Sequence, residues 1–114
     1  MKTSATYYGA NSWLIELQGI KILIDPWLKG DLIFPPGEWL IKGELESSRK
    51  IPEDINLILL TQGLADHAHE ETLRLFDLGI PVIGSSNTKS LLTKIGFQKI
   101  TILRPKMNIN IFGL

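Results

Sequence analysis

Ile55-Asn56-Leu57-Ile58-Leu59-Leu60-Thr61, running on into Gln62-Gly63-Leu64-Ala65-Asp66-His67-Ala68-His69, is the stretch whose reading decides the fold. Its first seven residues form a short, nearly continuous apolar run, the pattern of a central strand covered on both faces. Gln62 to Ala65 read as a loop in which Gly63 lets the backbone turn sharply. Asp66 or a neighbour then caps a helix that carries Glu70 and Glu71 in its first turn, where the helix dipole favours anions, and that ends at Gly79. Leu75, Phe76 and Leu78 supply the buried stripe of that helix.

Upstream, Asn11-Ser12-Trp13-Leu14-Ile15-Glu16-Leu17 and Ile20-Lys21-Ile22-Leu23-Ile24-Asp25 are strand-like runs joined by Gln18-Gly19, a β-hairpin. Ile20, Ile22 and Ile24 make one face of the second run fully apolar, while Lys21 and Leu23 make the other partly so. The strand stops at Asp25-Pro26. Residues 27–54, with Pro35, Pro36, Pro52 and several glycines, read as a long loop. Loops of that length are functional lids or mobile segments, and Trp27, Phe34, Trp39, Leu40 and Ile41 either anchor such a lid or simply pack into the core.

Downstream, Pro81 to Gly84 read as a strand, Ser85-Ser86-Asn87 as a capping turn, Thr88 to Ile95 as a helix closed by Gly96, Lys99 to Leu103 as a strand, and Asn108 to Phe112 as one more. Strand and helix alternate from Ile55 onward, so the class is α/β, and the opening hairpin makes the sheet mixed. There is no internal repeat.

A chain of 114 residues with 44% hydrophobic and 21% charged residues is expected to fold as one domain spanning 1–114. Lys plus Arg total 12 and Asp plus Glu total 12, so no long-range field draws the chain to nucleic acid or to anionic lipid. The same balance gives little protection against self-association. The absence of cysteine leaves His, Asp and Glu as the metal ligands on offer. The first residues lack the apolar stretch of a signal peptide, and no apolar run approaches the ~18 residues needed to span a bilayer. The expected address is cytoplasmic.

Two segments resemble landmarks of the metallo-β-lactamase superfamily. One is the hairpin closing on Ile22-Leu23-Ile24-Asp25-Pro26-Trp27, preceded by Gly9-Ala10-Asn11-Ser12-Trp13-Leu14-Ile15; the other is the strand, loop and helix start from Leu57 to His69. The resemblance implies the N-terminal half of an αββα sandwich, a domain about twice as long as this chain. It also implies metal-dependent hydrolysis at a His-x-His-x-Asp-His loop. Here the matching positions hold Gln62, Leu64, Asp66 and His67, so only the second half of that motif is present. Leucine has no lone pair and an amide oxygen is a weak donor, so the first metal position is expected to be lost.

The resemblance leaves Asp66 and His67 as ligands of a second metal position, with His69 as a substitute ligand or supporting partner and Asp66 also assigned to catalysis. Asp25 and Gln62 would stand behind the metal loop and orient it. One zinc or other divalent ion is the most this set implies, and the losses at Gln62 and Leu64 leave open that none is bound. The residues by themselves allow plainer readings: Asp66 a helix cap, His67 a first-turn surface residue, Asp25 a turn residue before proline. Ser85, Ser86 and Asn87 are caps and not nucleophiles. Two functional expectations follow. One is a hydrolase of a small-molecule substrate, in which an Asp66–His67 metal polarises a carbonyl or phosphoryl group and activates water. The other is an inactive binding or structural module on the same fold. No later histidine follows His69 and no acidic residue follows Asp77. As half a domain with exposed sheet edges, the chain is expected either to pair with itself as a homo-oligomer or to belong with a C-terminal half.

Overall fold

A computed structural model of the chain describes residues 3–28, 32–33, 42–43, 51–64 and 67–112. Gln18 and Gly19 both take positive φ, 50° and 80°, which gives a two-residue turn whose twist matches the strands it joins. That turn connects β2 (Ser12–Leu17) to β3 (Ile20–Ile24) in antiparallel register, with Ile15 opposite Ile22 and Trp13 opposite Ile24. The hairpin is one strand larger than its sequence suggests. β1 (Ser4–Gly9) pairs antiparallel with β2 through a turn in which Gly9 and Ala10 both have positive φ, and the Tyr7 hydroxyl donates to the Ala10 carbonyl at 2.8 Å.

Two short strands, β4 (Leu32–Ile33) and β5 (Lys42–Gly43), pair with each other inside the stretch expected to be a loop. Trp27 and Leu28 at its start are buried. Phe34, Trp39, Leu40 and Ile41 lie outside the described residues, and so do Asp66 and its neighbour Ala65.

The apolar run forms β6 (Leu57–Leu60), which sits between β3 and β7 (Val82–Gly84) and is parallel to both. β8 (Ile100–Ile102) adds a further parallel strand, giving a mixed sheet in the order β1-β2-β3-β6-β7-β8. Asn56 docks the start of β6, because its side-chain oxygen accepts the Lys21 N–H at 2.8 Å while its own N–H donates to the Lys21 carbonyl at 3.0 Å.

Between β6 and β7 the expected helix to Gly79 contracts to a single turn, α1 (Glu70–Leu73). Its N-cap is His69, whose ring accepts the Thr72 N–H. Past Leu73 the backbone tightens to i→i−3 bonds, Leu75 N to Thr72 O and Phe76 N to Leu73 O, the usual way a helix ends short. The Asp77 carboxylate then accepts the Gly79 N–H at 2.7 Å and closes a turn. The burial follows this early ending: Thr72, Leu73 and Phe76 are buried, whereas Leu75 and Leu78 are exposed.

Between β7 and β8, Ser85 starts a 3-10 turn over Ser86–Thr88 that leads into α2 (Lys89–Ile95), ended by Gly96 at φ 107°. Residues 108–112 carry no strand and are mostly exposed. The strand expected there pairs with no described strand, although β8 leaves one edge of the sheet open.

The two faces of the sheet differ. Leu14, Leu23, Ile58, Leu60, Val82 and Ile100 share one face and pack with Leu28, Ala68, Leu73, Phe76, Leu92, Ile95 and Phe97 into the core. The deeply buried side chain of β3 is thus Leu23, while the all-isoleucine set faces the other way and is half-buried. On that second face the register groups Tyr7, Trp13, Ile15, Leu17, Ile20, Ile22, Ile24, Leu57, Leu59 and Ile83.

Two glycines permit close approach. A Cβ on Gly84 would stand 2.2 Å from the buried Thr88 hydroxyl, and one on Gly63 would stand 2.4 Å from the Asn87 carbonyl oxygen. Gly63 is therefore needed for contact between two loops, and the backbone bends there without positive φ. On the surface, Glu70 accepts from Arg74 at 2.8 Å and from Lys94 of α2 at 3.3 Å. The Arg74 hydrogen bond, with Lys94 beside it, holds the Glu70 carboxyl below its usual range. Its contribution is present at neutral pH, fades as pH falls through the folded-state value, and is small because the pair is open to solvent.

Ile58→Ala should destabilise the fold by about 2–5 kcal/mol through loss of burial and a residual cavity, whereas Leu75→Ala should stay within about 0.5 kcal/mol. Urea denaturation of the two variants separates these cases, and equal losses would relocate the core. Gly63→Ala should cost about 1–3 kcal/mol by forcing the Asn87 loop aside. That loss should exceed the loss for Gly79→Ala, whose added Cβ would meet only the Asp77 side chain, at 3.1 Å.

Candidate functional site

Parallel strands deliver their carboxyl ends to one edge of the sheet, and open α/β sheets place their sites there. Asp25 follows β3 and Thr61 follows β6. The Asp25 N–H donates to the Leu59 carbonyl at 3.0 Å, carrying the β3–β6 ladder one step past the strand. At that point the chain turns sharply: Asp25 has φ 43° and is only 2% exposed. A buried, acceptor-rich side chain on strained backbone persists only where its surroundings over-determine it.

The surroundings of Asp25 do so. Its Oδ1 accepts the Thr61 N–H at 2.7 Å, and its Oδ2 accepts the Thr61 hydroxyl at 2.5 Å and faces His67 Nδ1 at 2.7 Å. Ser12, fully buried, donates its hydroxyl to the Asp25 carbonyl at 2.6 Å and accepts the Trp27 N–H at 2.7 Å. The Leu28 N–H donates to Thr72 Oγ1 at 3.0 Å. The segment from Asp25 to Leu28 is thereby held by β2 on one side and by α1 on the other.

The hydrogen-bond roles fix how the two histidines are used. A carboxylate can only accept, so the proton between Asp25 and His67 belongs to His67 Nδ1. That leaves the Nε2 lone pair of His67 directed away from the carboxylate, with the Asn11 side-chain amide nitrogen 3.4 Å from it. A histidine whose Nδ1 donates to a carboxylate has the orientation that metal-binding imidazoles use. His69 is set the opposite way. Its Nδ1 accepts the Thr72 N–H at 3.3 Å and lies 2.9 Å from the Thr72 hydroxyl, which leaves the ring proton on Nε2. The ring is buried, with its centroid 6.4 Å from that of Trp27.

The structure thus brings Asp25 and His67 together, across 42 positions of sequence. It turns His69 into the cap of α1 and leaves Gln62 exposed. Asp66, assigned both catalytic and metal-binding roles from sequence, lies outside the described residues. Among the described residues no group of three His, Asp or Glu side chains converges as a metal site would require. Leu64, where the motif would carry its second histidine, has a 51% exposed side chain. Its carbonyl accepts the His67 and Ala68 N–H groups at 2.9 and 2.8 Å.

Sequence reasoning passed over Thr61, Asn11 and the paired clamps Ser12 and Thr72. Thr61 had a signal, being the last polar residue of the strand before the loop. Thr72 had none, because its partner Leu28 is distant in sequence.

Among the described residues no helix is long and apolar enough to cross a membrane. A UPF0173 metal-dependent hydrolase of Cereibacter sphaeroides is 30% identical over 79 residues, which cover 69% of this chain and 30% of that protein. A possible metal-dependent hydrolase from Veillonella parvula superposes with a TM-score of 0.63 at 16% identity, covering 95% of this chain and 44% of that one. An isothiocyanate hydrolase from Delia radicum gut bacteria does so with a TM-score of 0.60 at 18% identity, covering 96% and 44%. The chain therefore spans less than half the length of these relatives, and the two structures share its fold. The sequence pattern described as Beta-lactamase superfamily domain matches residues 4–111, and with the mixed sheet, the Asp25 turn and the β6 loop already in place, the chain belongs to that family as the N-terminal portion of a metallo-β-lactamase fold.

Proposed function

We propose that this chain supplies one half of a metal-dependent hydrolase acting on a small molecule, with His67 as its prepared metal ligand. The observation that carries this reading is the 2.7 Å contact between Asp25 Oδ2 and His67 Nδ1. It holds the proton on Nδ1, fixes the ring plane and leaves Nε2 as the donor atom. The neighbouring Asp66 would add a carboxylate by its place in the sequence. A divalent ion held there supplies Lewis acidity toward a carbonyl or phosphoryl oxygen and lowers the pKa of water.

The residues of the chain divide the remaining work. Asp25 and Thr61 orient His67; Ser12 and Thr72 hold the Asp25 turn in register; Asn11 contributes an amide beside Nε2. His69 fits poorly as a ligand, because offering its Nε2 lone pair requires moving its proton to Nδ1 and giving up the Thr72 N–H that caps α1. His67 and Asp66 fall short of the three protein ligands a zinc site ordinarily uses. Further donors would come from polypeptide of the kind the relatives carry beyond the matched region.

A second reading, an inactive binding module, is favoured by one specific feature: Gln62 and Leu64 occupy the first two motif positions, and both are exposed. The two readings separate on zinc titration followed by NMR of the two imidazole rings, which are the chain's only histidines. On the hydrolase reading, zinc shifts His67 Nε2 at high micromolar to millimolar concentration, weaker than a complete site because ligands are missing. His67→Ala abolishes the shift and His69→Asn, which keeps a capping oxygen, preserves it. A His67 ring unmoved by zinc at millimolar concentration would leave the binding-module reading in its place.

Without metal, the same spectra should show the Nδ1–H tautomer at His67 and the Nε2–H tautomer at His69. Asp25→Asn should remove the His67 preference and destabilise the chain by about 1–3 kcal/mol, since an amide returns one acceptor where two donors converge. A stable Asp25→Asn variant with an unchanged His67 tautomer would dissociate Asp25 from the orientation of that ring.

A further inference from the structure

The turn between β1 and β2 brings a further side chain to the imidazole of His67. Gly9 and Ala10 both carry positive φ, 101° and 50°, and the Ala10 carbonyl accepts the Tyr7 hydroxyl at 2.8 Å. On the other side of Asn11, Ser12 is fully buried and donates to the Asp25 carbonyl at 2.6 Å. Asn11 is thus fixed between two anchors, which is what lets a non-glycine residue beside it stay at positive φ. It is half-buried, and it reaches across 56 positions of sequence to set its amide nitrogen 3.4 Å from His67 Nε2. That Nε2 carries the lone pair of the ring, because Nδ1 gives its proton to Asp25.

We propose that Asn11 is a metal ligand, its side-chain oxygen sharing with His67 Nε2 the divalent ion that the hydrolase reading places there. The inference rests on that reading. A separation of 3.4 Å is long for a hydrogen bond, since N–H donors ordinarily stand about 2.7–3.2 Å from an oxygen acceptor. It is the separation of two ligands: donors about 2.0–2.1 Å from one tetrahedral zinc stand about 3.3–3.4 Å from each other. Half a turn about the Cβ–Cγ bond exchanges the two ends of the amide, so the oxygen takes the place of the nitrogen without any movement of the backbone. In the metal-free chain the amide N–H caps the Nε2 lone pair, and in the loaded chain the oxygen stands beside it as a second donor. A neutral amide oxygen is a weak donor by itself. The anchors at Ala10 and Ser12 offset that weakness, because a group already held in place loses little freedom on binding.

Zinc titration of the chain, followed by NMR at His67 Nε2 and at the Asn11 side-chain carbonyl carbon, tests the assignment. In the wild-type chain the two signals should move along one binding curve. Asn11→Ala should weaken zinc binding at least about 10-fold, the loss found for residues that merely support a ligand and so a lower bound for a ligand itself. Asn11→Asp, which puts a charged oxygen in the same place, should tighten binding by at least about 10-fold, as added ligand charge does. Tighter binding in Asn11→Ala would mean that the amide only obstructs Nε2, and would overturn the proposal. So would an Asn11 carbon that stays still while the wild-type His67 ring shifts, an outcome that leaves the hydrolase reading standing. A His67 ring unmoved by zinc in the wild-type chain removes both. The wild-type comparison needs no substitution, so it decides the matter even where a variant fails to fold.

Discussion

The carboxylate of Asp25 is the constraint from which the rest of the site follows. Moving an ionised carboxylate out of water is expensive unless nearly every lone pair finds a donor. Asp25 sits at 2% exposure on a left-handed backbone at the end of β3 and is met there by two groups of Thr61 and one of His67. Each donor belongs to the strand and loop that follow Ile55, so the hairpin and the central strand cannot slide against each other without stranding the charge. Removing one partner from such a cluster costs more than the partner contributes by itself, because the buried acceptor is left unsatisfied.

That cluster depends on two hydroxyl clamps lying deeper in the fold. Ser12 Oγ bridges the carbonyl of Asp25 and the N–H of Trp27, which steadies a turn that would otherwise relax out of positive φ. Thr72 Oγ1 accepts the Leu28 N–H and approaches His69 Nδ1, so one hydroxyl ties the segment after the turn to the capping residue of α1. The same contact explains the opposite protonation of the two histidines. His67 meets a carboxylate through Nδ1 and must donate; His69 meets a backbone N–H through Nδ1 and must accept. Residues of one type, two positions apart, are thus set for different work by the partners their shared loop gives them.

Much of the fold was legible in the sequence because its signals are local. The Gln18-Gly19 turn, the apolar run ending at Leu60, the short strand before Gly84 and the helix closed by Gly96 each have a periodicity or a punctuating residue of their own. The length of α1 was not legible: Leu75, Phe76 and Leu78 fit a helical stripe, yet the i→i−3 bonds after Leu73 and the Asp77 turn divert the chain before that stripe can form. Residues 108–112 alternate as a strand does, yet they pair with no described strand. At the site, Asp25 and His67 could be picked out one by one. Their contact rests on the parallel register that sets Leu23 opposite Ile58 and Ile24 opposite Leu59, which no residue announces. Gly63 stands at a bend after the strand, as expected, and it is also a contact glycine, because the Asn87 loop that presses on it is contributed by a later crossover.

The state of His67 expresses a division of labour within the fold. Orienting a ligand takes one buried partner and a few clamps, and β2, α1 and the residues that follow β3 and β6 provide all of these. Completing a coordination sphere takes several donors converging from separate elements, and among the described residues they do not converge. The folded chain carries the rigid part of a site, at the carboxyl edge of its parallel strands, where Asp25 and Thr61 fix the His67 ring.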